Sequence, residues 1–110
     1  MIIDRDGNIS IITQEKVTVI ELVKKIEALH PKFKNDNVIV NLSSLAEITT
    51  EEIIEFLRLS NTHRATGHSF ILVTKNTNLN EIPDEIIVVP TSQEAYDIIE
   101  MEEIERDLGF

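Results

Sequence analysis

The stretch Val38–Phe56, VIVNLSSLAEITTEEIIEF, decides how this chain is built. Val38, Ile39, Val40 and Leu42 make an almost unbroken apolar run, the pattern of a central strand buried on both faces. A small polar loop follows at Ser43–Ser44. Thr49 and Glu52 then stand three residues apart ahead of an apolar segment, which is a capping box. Ile53, Phe56 and Leu57, with Ile54 on a flank, recur at helical spacing, while Glu51, Glu55 and Arg58 fall outward. Strand, loop and helix therefore follow in direct succession.

The same pattern repeats on either side. Met1–Asp4 and Asn8–Thr13 are β-rich and flank Asp6–Gly7, a dipeptide that suits a tight hairpin turn. Thr18 and Glu21 cap the next helix, with Val17 and Leu22 as its staple. Its inner stripe reads Ile20, Val23, Ile26 and Leu29 or the neighbouring apolar positions, and Pro31 predicts an end near His30. After the helix that opens at Thr49, Gly67 is placed as a C-terminal cap, and Phe70–Thr74 reads as a buried strand. Asn76–Glu85 is polar and contains Pro83, so it reads as a connection with at most one helical turn. Ile86–Val89 is a further strand ended by Pro90. Thr91 and Glu94 cap a last helix from about Ser92 to Leu108, with Ala95, Ile98, Ile99 and Ile104 inward. The order β-β-α-β-α-β-β-α predicts one α/β domain over residues 1–110. Its sheet is mixed, with about five strands, the later ones parallel, and about three helices mostly on one face.

Charge separates the two parts of the chain. Residues 1–46 carry six basic and six acidic side chains; residues 47–110 carry four and fourteen, and so hold the whole net charge of −10. Such a field repels phosphate backbones and argues against nucleic-acid binding. It suits solvated helix faces, and the acidic run Glu100–Asp107 also suits docking of a basic protein face. Without cysteine there are neither disulfides nor thiolate metal sites. The start, MIIDRDGN, is unlike a secretory leader, and no apolar run reaches the ~20 residues needed to span a bilayer. A cytoplasmic location without membrane association is expected.

The residues offer little to catalysis. His63 and His68 are five apart with Gly67 between them, where a helical metal pair needs three or four. His30 stands at a helix end, where its charge favours the dipole. A zinc hydrolase of the ribonuclease Z kind needs a histidine–aspartate cluster, and the chain has no HxH. Its serines lack a G-x-S-x-G setting, and its three glycines make no phosphate-binding loop. No catalytic residue, metal or cofactor is therefore expected.

From Val38 onward the pattern resembles the STAS domain, the fold of bacterial anti-sigma-factor antagonists. Asn41 and Leu42 sit at the family's D/N–L pair after the central strand. The following helix, Gly67 before Phe70–Val73, and the late helix opened by Ser92, Glu94 and Ala95 fall in the family's order. Family members carry D-S-S-G or D-[ST]-x-G at the first of these helices, and a partner kinase phosphorylates the hydroxyl. Here Thr49 takes the Asp position, Thr50 the phosphoacceptor position and Glu52 the Gly position, so only the hydroxyl is kept. The resemblance implies a non-enzymatic protein-interaction module without the standard phosphoswitch. Its possible phosphoacceptor is Thr50, and its docking residues are Ser43, Ser44, Glu47, Thr49, Glu51, Glu55 and Arg58. Because some STAS-like domains take up nucleotides, a small-ligand binder is the alternative.

Overall fold

The computed structural model describes residues 1–45, 47–75 and 81–109. Strands β1 (Ile2–Asp6) and β2 (Ile9–Thr13) form an antiparallel hairpin. Gly7 enters the turn at φ 59°, a left-handed conformation that costs glycine little. The first strand runs two residues beyond the expected Asp4. Helix α1 (Val19–Phe33) leads to β3 (Asn37–Asn41), α2 (Thr50–Ile54) and α3 (Leu57–Arg64) lead to β4 (Phe70–Val73), and β5 (Ile87–Val89) is followed by α4 (Ser92–Asp107). The five strands lie in sequence order, β1-β2-β3-β4-β5, and every pair after the hairpin is parallel.

That order dictates where the helices go. Strands that advance in one direction with right-handed crossovers put every crossover on the same face. Val19, Leu22, Val23, Ile26, Ile53, Phe56 and Leu59 accordingly pack with Ile12, Val38, Val40, Phe70 and Leu72 on the first face. Ile82 and Ile86, from the β4–β5 connection, join them; residues 76–80 of the expected connection Asn76–Glu85 lie outside the described residues. The alternate strand residues Ile39, Ile71, Val73 and Val89 meet Ala95 and Ile99 of α4 on the second face. Burial on both faces is why β3 and β4 read as unbroken apolar runs.

Four local expectations are corrected. α1 passes through Pro31 to Phe33, because Phe33 is buried in the first core and holds the last turn in place. Its inner stripe is Val19, Leu22, Val23 and Ile26, which leaves Ile20 53% exposed. Ile104 of α4 is likewise 53% exposed, since the helix reaches the sheet mainly through Ala95 and Ile99. The helix expected from Thr49 is divided at Glu55–Phe56. There the Phe56 amide bonds to Ile53, one residue short of α geometry, as its ring enters the core 6.5 Å from that of Phe70.

Candidate functional site

The candidate site lies at the C-terminal end of the parallel strands. Beyond β3, the Asn41 side-chain carbonyl accepts from the Ser43 amide at 2.9 Å and turns the chain. The Leu42 amide bonds to the Val73 carbonyl, so the loop begins fastened to β4. Ser44 donates its hydroxyl to the main-chain and side-chain oxygens of Gln14, at 2.9 and 2.7 Å. Gln14 is buried and donates in turn to the Val17 carbonyl. Ser44 is thus a tie between two loops, although it is exposed, as are Ser43 and Glu47.

Thr49 and Glu52 complete the capping box in both directions. The Thr49 hydroxyl oxygen accepts from the Glu52 amide at 3.1 Å, and the Thr49 amide donates to the Glu52 carboxylate at 3.0 Å. Thr50, the next residue, is half-buried and donates its hydroxyl to Glu81 at 3.1 Å. Glu81 belongs to the β4–β5 connection, and sequence spacing gave no sign of this partner. Glu51 stays exposed beside it.

Glu55 and Arg58 lie lower on the same surface and line a groove of about 440 Å³ between α1 and α2–α3. Ile20, Lys24 and Glu27 of α1 form its other wall, with Ile54 from α2. Ile20 and Ile54 are 53% and 40% exposed, so the groove is apolar along its length and carries charges of both signs at its edges. Sequence spacing does not mark the α1 wall, because Ile20 fits the helical period of a core residue.

The opposite end of the sheet holds a second polar cluster, which spacing also concealed. His30 and His63 lie in the last turns of neighbouring helices, and their ring nitrogens Nε2 and Nδ1 are 3.0 Å apart. The His63 Nε2 lies 2.7 Å from the Asp36 carbonyl. A carbonyl only accepts, so this nitrogen carries the proton, Nδ1 accepts, and His30 is the donor of the pair. Both His63 nitrogens are therefore engaged. Burial pushes the His63 pKa down to about 4; the Asp36 carbonyl opposes this, and His30 and His68 add to it. Asp36 itself receives Arg5 at 2.8 Å and the Ser10 hydroxyl at 3.0 Å.

Nearby, Glu102 accepts from Arg64 at 2.8 Å and from Ser69 at 2.6 Å. Burial raises its carboxyl, but these bonds and the charges of Arg64 and Arg106 outweigh burial and hold it below its ordinary value. These contacts fix α4 to the lower edge of the sheet. Among the described residues, no three histidine, aspartate or glutamate side chains converge to hold a metal ion, and no helix is long and apolar enough to cross a membrane. No known protein-family model matches the chain, and no curated protein matches it in sequence.

Proposed function

We propose that this chain is a non-enzymatic, STAS-like interaction module that docks a protein partner. Its docking surface comprises the loop Ser43–Thr50 and the groove between α1 and α2–α3. The observation that supports this reading is the Thr50–Glu81 hydrogen bond beside an exposed apolar groove. Ile20 and Ile54 give the partner apolar contact, and Lys24, Glu27, Glu55 and Arg58 set its register by charge.

Thr50 is the point of control in this proposal. A kinase that transfers a phosphoryl group from a nucleoside triphosphate replaces the hydroxyl proton, removing the donor to Glu81. The phosphate brings about −1.5 to −2 charges next to Glu81, Glu51 and Glu47. Repulsion then parts Glu81 from α2 and alters the surface the partner meets. Two threonines start this helix, but only Thr50 is free of the cap, because Thr49 is held by Glu52.

The test is intact-mass measurement of the chain from its native host, alongside partner capture with Thr50→Ala, Thr50→Glu and Ile54→Lys variants. The expected result is a phosphoryl mass gain that Thr50→Ala lacks, weaker capture by Thr50→Glu, and loss of capture by Ile54→Lys. If Thr50→Ala and Thr50→Glu bind the partner equally, there is no switch. If Ile54→Lys binds as well as the parent chain, the docking surface is wrong.

A further inference from the structure

The same topology that crowds helices onto the first face leaves the second face thinly covered. α4 lies chiefly over β3, β4 and β5. The register of the hairpin puts Asp4 opposite Ile11 and Asp6 opposite Ile9, and Ile9 and Ile11 pack with the second core. The β1–β2 side of this face therefore flanks α4. Between them runs a groove of about 390 Å³, with Ile9, Tyr96 and Ile99 in its floor and Ile104 on its lip. Ile2, on the same face of β1, is 43% exposed.

The charges around this groove have one sign. Glu100, Glu103 and Asp107 line it from α4, and Asp4 and Asp6 stand exposed on the strand side. Asp6 also accepts from the Tyr96 hydroxyl at 3.2 Å, which ties the two walls together. The nearest arginines are committed elsewhere. Arg5 reaches Asp36 on the first face, and Arg106 donates to Ser69 and Asn37.

We propose that this groove docks a basic amphipathic helix of a protein partner. Apolar side chains at helical spacing fill the floor over Ile9 and Tyr96, and lysines or arginines on the flanks meet the acids of both walls. The chemistry disfavours the other occupants. A second copy would set these acids against themselves, and a nucleic acid or an anionic bilayer would bring further negative charge. This surface lies across the sheet from α1 and α2–α3, so it stands or falls independently of the Thr50 surface.

Tyr96 is the chain's one tyrosine and there is no tryptophan, so its emission reports on the groove directly. The probe is a helical peptide of leucine and lysine with leucine at positions three and four apart; the control peptide has glutamate in place of lysine. Saturable change in Tyr96 emission is expected with the lysine peptide alone, together with amide shifts at Ile9, Ile11, Glu100 and Ile104, and weakening by salt. Ile104→Lys combined with Glu100→Lys should weaken binding about tenfold or more. Glu100→Gln, which adds no cation and sits on an exposed position, should give a smaller loss in the same direction. The proposal is overturned if these variants bind as the parent does or if the glutamate peptide binds equally well. Amide shifts centred on residues 43–58, or self-association that Ile104→Lys abolishes, would overturn it too.

Discussion

Lowering the pH from about 7.5 to about 5 interrogates the buried histidine pair. His63 is fully buried, and its pKa falls from 6.5 to about 4. In the unfolded chain the ring has its ordinary value, so between these limits the unfolded state binds a proton that the folded state refuses. Stability from this group is complete above pH 6.5, declines as the pH drops below that value, and is fully lost near pH 4. Each pKa unit corresponds to about 1.4 kcal/mol, so the whole loss is roughly 3 kcal/mol, of which about 2 kcal/mol has gone by pH 5. Domains of this size have only about 5–15 kcal/mol in total. Urea midpoints across this range, with histidine ring titration followed by NMR, measure the effect. His63→Gln keeps a donor for the Asp36 carbonyl and does not titrate, so its stability should be nearly flat from pH 6.5 to 5. Glu102 does not confuse this window. With a lowered pKa, its contribution is complete above the ordinary value of 4.5 and fades only as the pH falls further. A parallel pH slope in His63→Gln and the parent chain, or a folded-state His63 titration near 6.5, would refute the reasoning.

Other substitutions probe the elements that carry the site. Thr49→Ala deletes the α2 cap and should cost about 1 kcal/mol in chemical denaturation, whereas Thr50→Ala should cost less because its bond to Glu81 is exposed. Gly67→Ala should also cost about 1 kcal/mol: φ is 85°, yet nothing lies within 4 Å of the added carbon, so the penalty is conformational. Phe56→Ala empties a fully buried ring site and should lose about 3–5 kcal/mol, lowering the thermal midpoint more than any surface change. Ile20→Lys should shift stability by about 0.5 kcal/mol or less, since its side chain is about half exposed, and Ile54→Lys by somewhat more, while both should remove partner binding.

Element type and order were legible because local signals agreed with tertiary demands. Spacing alone marks Thr18, Thr49 and Thr91 as caps, and each accepts the amide bond expected of it. Val38–Leu42 and Phe70–Val73 announced themselves as central strands through their lack of alternation. Periodicity failed where a stripe was wider than the surface it faces. Ile20 and Ile104 both satisfy the helical period, but the sheet has room for only part of each stripe. Pro31 misled for a related reason: its local preference yields to the burial of Phe33. The candidate site was legible in its backbone and not in its partners. Thr50–Glu81, Ser44–Gln14 and His30–His63 join residues about thirty apart in sequence. Nothing in composition or spacing marks such pairs, because the sheet alone brings them together.

The sheet's sequential strand order has a consequence for biosynthesis. Each strand after β1 pairs with the one made just before it, so the sheet can extend strand by strand as the chain emerges from the ribosome. α4 breaks this pattern: Tyr96 and Glu103 reach back to Asp6 and Asn8, the longest connections in the described fold. Until those last sixteen helical residues arrive, Ile39, Ile71, Val73 and Val89 stand uncovered on one side of a finished sheet. A chain cut back to Pro90 should therefore bind chaperones that grip apolar surface, and the chain that includes Ser92–Asp107 should not.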